Sequence, residues 1–342
     1  MKDFEPHPWL RNAHLMTIAG TFWRRKFSKL PAGEARLFDV EPGTKMRADC
    51  HWQEQRREHA TIVLVHGLEG SSGSGYVLGT AEKAFVAGFN VVRLNQRNCG
   101  GTEHLTPDLY HSGRSNDVRA VVEELIERDK LPEMFAAGFS MGGNLVLKMA
   151  GEYGDAAPEQ VRGFVGIAPS FMLAACADAL EEPRNVIYEQ YFVRKLKRRM
   201  RRKAELFPER YGAKVGNGAL RAISSVREFD EMITAPCSGF GGANDYYARA
   251  SAVNVLGAIA RPTLLLTAKD DPFVPYATFE RREVRENPNI RLVAPRYGGH
   301  CAFIGREGGD ERFWCEGRIV EFCREHSRIT RERDARRSAG GQ

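Results

Sequence analysis

The pentapeptide Gly138-Phe139-Ser140-Met141-Gly142 is the first place in the chain where residue type and spacing point to a reaction. It follows a short apolar run, Met134 to Gly138, and precedes a helical pattern that begins Gly143-Asn144-Leu145. A G-x-S-x-G sequence in that setting predicts a sharp strand-to-helix turn that lifts the serine hydroxyl above the sheet edge. Gly138 and Gly142 supply the small residues that so crowded a turn requires. The turn also aims the Met141 amide, at the helix start, towards any oxyanion formed beside the serine. The chemistry implied is nucleophilic attack on a carbonyl, with Ser140 as the attacking group.

A serine hydroxyl is protonated at neutral pH, so it needs a base, and the base needs a group to orient it. Of nine histidines, only His300 sits late in the chain, after a strand-like run and in the glycine-flanked loop Tyr297-Gly298-Gly299-His300-Cys301-Ala302. Where a serine turn of this kind serves catalysis, the chain order is nucleophile, acid, histidine. The run Pro262 to Thr267 leads into Ala268-Lys269-Asp270-Asp271-Pro272-Phe273-Val274-Pro275, an acidic turn in the required interval. Asp271, at the head of Asp-Pro-Phe-Val-Pro, is assigned as the acid, with Asp270 as the alternative that could cap the turn. The end of the preceding strand, Ile167-Ala168-Pro169-Ser170, offers no carboxylate. A second oxyanion donor is expected from the backbone of Leu68, in the glycine turn that closes Ile62 to Gly70. His66 in that turn is expected to shape the loop. Together with Cys99, His111 and Tyr247, it is also a candidate for lining the pocket.

Such residues need a scaffold, and the apolar runs supply one. Strands are expected at Thr61–Val65, Asn90–Leu94, Met134–Gly138, Phe164–Ala168, Thr263–Thr267 and Ile290–Val293. Helical patterns near residues 78–87, 115–128, 142–152 and 312–324 alternate with them. That alternation predicts an α/β fold: a mostly parallel central sheet flanked by helices, with function beyond the carboxyl ends of the strands. After Ser170 the alternation stops for a long stretch rich in aromatic and cationic residues. Residues 170–260 are therefore expected to form an inserted helical cap on a discontinuous core, 1–169 and 261–327. The basic remainder, 328–342, has few residues that could offset its ordering entropy and should be flexible or loosely helical.

Composition narrows the function further. A chain of 342 residues with 42% hydrophobic content can bury one large core and carry an insertion. The first residues lack the apolar run of a signal peptide, and no stretch approaches the roughly 20 apolar residues that span a bilayer. Seven scattered cysteines show neither metal-ligand nor disulfide spacing, which fits a reduced, cytoplasmic setting without a metal. The net charge of +6 is concentrated at 194–203 and in the tail, with no aromatic-interleaved groove motif, so nucleic-acid binding is not expected. The run 194–203, with Leu196 and Met200 on one face, could make a weak contact with an anionic membrane, although a solvated cap helix explains it as well. No H-x₄-D pattern for acyl transfer to an alcohol is present.

Taken in order, several segments carry a family resemblance: Pro8-Trp9-Leu10-Arg11-Asn12-Ala13-His14, His66-Gly67-Leu68-Glu69-Gly70, Asn98-Cys99-Gly100-Gly101-Thr102, Leu109-Tyr110-His111-Ser112-Gly113, the serine turn, Asp245-Tyr246-Tyr247, Asp270-Asp271-Pro272 and Gly299-His300. The sequence resembles the YheT-like esterases, the AB hydrolase-4 family of the α/β-hydrolase fold. The resemblance implies a carboxylesterase that uses no cofactor, with its catalytic triad at Ser140, Asp271 and His300. Short to medium acyl chains are expected. The alternatives are a phospholipid, acylglycerol or thioester substrate for the same triad, or a hydrolase-like binding module. Animal members of the family often bear an amino-terminal membrane anchor, which this sequence is expected to lack.

Overall fold

The computed structural model describes residues 2–216 and 218–339. Eight strands form one sheet: β1 (Glu34–Glu41), β2 (Thr44–His51), β3 (Thr61–Val65), β4 (Asn90–Leu94), β5 (Met134–Phe139), β6 (Val161–Ile167), β7 (Thr263–Leu266) and β8 (Ile290–Val293). Their spatial order is β1-β2-β4-β3-β5-β6-β7-β8. From β4 to β8 every pairing is parallel, whereas β1 pairs with β2, and β2 with β4, in antiparallel fashion. The central strands β3, β4 and β5 are buried at every residue, as strands covered on both faces must be.

All six strands expected from the sequence are present, three of them with the same bounds. The hairpin β1–β2 was not anticipated. Its signal was an alternating pattern around Pro42-Gly43, where Gly43 takes φ +75° and so permits the tight reversal. One face of the sheet packs on α3 (Ser115–Glu127) and α4 (Met141–Tyr153), the other on α2 (Gly75–Val86) and the helix Trp314–His326. A further unanticipated helix, α1 (Ala13–Phe22), precedes the sheet; Asn12 caps it by accepting the Leu15 amide at 3.1 Å.

Between β6 and β7 the regular elements among the described residues are all helical. They include α5 (Leu173–Leu180), the 21-residue α6 (Val186–Leu206) and α7 (Pro208–Val215), and together these helices make a cap with its own apolar cluster. Leu196 and Met200 are buried in that cluster, as their spacing suggested. Three cations of the basic run, Lys195, Arg199 and Lys203, turn towards the core and find oxygen acceptors there. Lys203 is fully buried and donates to the carbonyls of Glu103 and Thr106; burial lowers its pKa to about 8.

Residues 328–339, expected to be flexible or loosely helical, form a helix. The Ser327 hydroxyl accepts the Thr330 amide at 3.0 Å while donating to Glu133, and Arg333 donates to the carbonyl of Ala87 at 3.0 Å. These are the partners that composition alone did not reveal. The last part of that stretch, 340–342, lies outside the described residues.

Candidate active site

Ser140 occupies the turn between β5 and α4 with φ 52° and ψ −118°, a backbone state that costs a non-glycine residue on the order of 1–3 kcal/mol. The surroundings hold it there. Its amide donates to the Ile167 carbonyl on β6 at 2.8 Å, and its carbonyl accepts the amides of Asn144 and Ser170. A Cβ at Gly138 would run into the backbone of Gly142, and one at Gly142 into the carbonyls of Val65 and His66. Both glycines are thus required by close approach of backbone, as the motif implied. The Met141 amide, first in α4, is one of the four that a helix leaves without an internal acceptor.

His300 lies on the loop after β8. Its Nδ1 is 2.8 Å from Asp271 Oδ2, and the Asp271 side chain is fully buried. The other oxygen of Asp271 accepts the amides of Phe273 and Val274 at 3.0 and 2.9 Å, so the carboxylate cannot rotate away without losing three hydrogen bonds. Burial works against the charged form of the His300 ring, but the Asp271 carboxylate beside it outweighs that effect and raises the imidazolium pKa above the ordinary histidine range. Asp270 does something different: its Oδ1 accepts the Gly299 amide at 3.0 Å and ties the acidic turn to the histidine loop. The Phe273 ring packs on the imidazole with centroids 4.1 Å apart.

The histidine loop has a third support that sequence reasoning missed. The His300 amide donates to Thr17 Oγ1 at 2.9 Å, and that hydroxyl donates in turn to the Ala13 carbonyl at 2.7 Å. Gly299, at φ +56°, lies so close to α1 that a Cβ would strike Thr17 and Ala13. The only hint was a threonine, Thr17, in a largely apolar stretch.

Ser140 sits where two cavities meet. One, of about 120 Å³, lies under the cap and is lined mainly by apolar side chains such as Leu173, Ala177, Leu180, Met200 and Phe229, with Leu68 and Met141 beside the serine. The other, of about 480 Å³, is larger and runs between α1, the loop 67–76 and α6; His300 faces it together with Ser140. Leu68, Phe192 and Phe273 border both.

Of the four candidates for lining the pocket, His111 and Tyr247 reach the cavity under the cap, and His66 and Cys99 reach neither. His66 is fully buried behind the loop, with Nδ1 2.8 Å from the Gly67 carbonyl and Nε2 accepting the Gln96 amide at 3.1 Å. Burial lowers its pKa to about 4, so the ring is neutral and both nitrogens are engaged in shaping the loop. Cys99 is covered by Tyr110 and Met141 and receives a hydrogen bond from Arg199 at 2.8 Å.

That arginine belongs to an arrangement invisible in the linear sequence. Glu69, next to Leu68 and itself at φ 57°, accepts Arg199 of α6 at 2.8 Å and the Tyr110 hydroxyl at 2.6 Å, while Lys195 donates to its carbonyl at 3.1 Å. The side chains of Glu69 and Arg199 are 3% and 11% exposed, so the pair is nearly dry. The cap is thereby fastened to the loop that carries Leu68. Asp230 was likewise unforeseen. It lines the cavity under the cap, accepts the Tyr247 hydroxyl at 2.8 Å, and its pKa is pushed up to about 6 by burial.

Residues 60–307 match the model of the alpha/beta hydrolase fold family. The chain is also 31% identical, over 94% of its own length and 92% of the relative's, to YheT of Escherichia coli (strain K12), an esterase by inference. The chain is a YheT-like alpha/beta hydrolase. Among other relatives, the mouse phospholipase ABHD3 is 31% identical over 71% of this chain and 58% of its own. A medium-chain fatty acid ethyl ester synthase/esterase of Saccharomyces cerevisiae is 27% identical over 92% of this YheT-like hydrolase and 73% of its own length. The Pyrococcus furiosus esterase Pf2001 superposes with a TM-score of 0.57 at 14% identity, covering 89% of this chain and 96% of its own, which speaks to the fold alone. Among the described residues, no helix is long and apolar enough to cross a membrane.

Proposed function

We propose that this ester hydrolase is a serine carboxylesterase in which Ser140 attacks the ester carbonyl, His300 removes its proton and Asp271 orients and stabilises the imidazolium. The amides of Leu68 and Met141 hold the oxyanion, and because both are main-chain donors the site depends on backbone position rather than on those side chains. His300 then returns the proton to the departing alcohol, leaving an acyl-enzyme on Ser140. Water, deprotonated by the same histidine, releases the acid.

The observation that carries this reading is the Asp271–His300 bond on a doubly anchored carboxylate, with the imidazole on the same cavity as a strained, half-buried serine. The smaller apolar cavity under the cap suits a short to medium acyl chain, and the larger one suits a bulkier alcohol portion. The greater volume on that side is what favours lipid esters as a second substrate class. Ser140→Ala, assayed on p-nitrophenyl esters of increasing chain length, is expected to lose several orders of magnitude in kcat, since removal of a triad nucleophile costs about 10⁶. Retention of activity within about tenfold would overturn the assignment.

A further inference from the structure

Among the described residues, eight of the eleven exposed large apolar side chains fall in two short segments, 9–23 and 186–191. Those segments flank the larger cavity, whose wall includes Ile18 and Phe22 of α1 and Ile187 and Tyr191 of α6. Leu15, Ile18 and Phe22 share one face of α1, at positions i, i+3 and i+7, and that face points away from the buried Met16 and Thr17. The two segments form one surface, because His14 stacks on Tyr188 with ring centroids 5.7 Å apart and the Tyr188 hydroxyl donates to the His14 carbonyl. Trp9, 86% exposed, stands just ahead of the helix.

The charge carried by these two segments is of one sign, while the acids on the cavity wall, Glu69 and Glu316, are paired with Arg199 and Arg25. Residues 6–33 contain no aspartate or glutamate but five cations, of which Arg11, Arg24, Lys26 and Lys29 are exposed. Over 183–203 the one acid is Glu189, which is buried and accepts the Val226 amide at 2.9 Å. An apolar helix face bordered by cations, with acids excluded, is the composition that binds a lipid interface. A second copy of the chain would meet this face with like charge.

We propose that the face formed by α1 and the start of α6 docks on an anionic lipid surface, with the larger cavity turned towards the bilayer. The contact differs from one through 194–203, whose apolar residues and three of whose cations are committed to the core. An ester held in a lipid layer then reaches Ser140 without crossing water, so the docking face selects interfacial substrates. The docking itself does not depend on the role assigned to Ser140.

The test is sedimentation of the full chain with phosphatidylcholine vesicles prepared with and without phosphatidylglycerol, at low and high salt. The wild type is expected to partition onto the anionic vesicles and to be released by salt. Trp9→Gln/Leu15→Gln and Arg24→Glu/Lys26→Glu should each weaken partition about tenfold or more while hydrolysis of a water-soluble ester stays unchanged. Ser140→Ala should sediment like the wild type whether or not it retains activity, which separates this proposal from the catalytic one. A wild type that stays in the supernatant with both vesicles would overturn it. So would variants that sediment undiminished, or a solution dimer that Leu15→Gln dissociates.

Discussion

The two cavities that share Ser140 differ in their walls and in what holds those walls in place. The one under the cap is built from cap helices packed on one another through Leu, Met, Val and Phe. The larger one is walled by α1, a glycine-rich loop and one side of α6, and it carries His300 with the apolar rim. On the proposed mechanism the two divide the substrate: the cap would grade acyl length, whereas α1, which holds the histidine loop, would meet whatever brings the ester.

The largest expected effect is common to both cavities. Asp271→Asn should lower kcat about 10⁴-fold, because the imidazole loses the partner that sets its tautomer and stabilises its charge. The same variant tests the raised pKa of His300. The ring must be neutral to act as a base, so kcat/KM of the wild type should rise with pH, with a midpoint above the unperturbed histidine value of about 6.5. In Asp271→Asn burial is no longer opposed and the midpoint should fall. A pH–rate profile of both proteins measures this directly.

The next effect sharpens the link between the cavities. Arg199→Met leaves Glu69 buried without its cation and loosens the Leu68 loop from α6, where the Lys195 bond to the Glu69 carbonyl remains. Loss of one oxyanion donor costs about 10²–10³ in turnover, so kcat should drop by up to that factor for every acyl length. Thermal unfolding should report a loss of about 3–5 kcal/mol, the usual cost of removing one partner of a buried pair. Glu69→Gln/Arg199→Met should recover part of that stability, because the stranded charge is gone. A drop confined to KM would show instead that the pair serves only the pocket.

The smallest effect should fall on one cavity alone. Ala177→Phe fills the space under the cap and is expected to reduce kcat/KM for longer p-nitrophenyl esters about 10–100-fold while leaving the acetate nearly unchanged. Overpacking will cost about 1–3 kcal/mol, so folding is checked in the same preparation. Equal losses across the series would break the division of labour.

How far this was legible in the sequence follows the same line. Strands such as Thr61–Val65 are short, β-branched and bounded by polar turns, and the serine turn is local: five residues specify it. The order of serine, acid and histidine placed His300, and the Asp-Pro-Phe-Val-Pro phrase favoured Asp271 over its neighbour; the Asp271–His300 bond distinguishes their positions. What stayed hidden depends on partners far apart in the chain. Thr17 meets the histidine loop across more than 280 residues, and Arg199 meets Glu69 across 130. The basic run 194–203 looked like a solvated face because composition records charge but not direction. The hairpin β1–β2 was missed for a different reason, since its strands lie at the sheet edge and carry enough polar residues to mask their alternation.

The central claim is that Ser140 is the nucleophile activated by His300, and a fluorophosphonate probe tests it most directly. Mass spectrometry of the digested protein should show one covalent adduct, on the peptide containing Ser140, with labelling in His300→Ala slowed by about 10³ or more. Labelling at a different serine, or an ester hydrolase that turns over normally while Ser140 stays unlabelled, would contradict it.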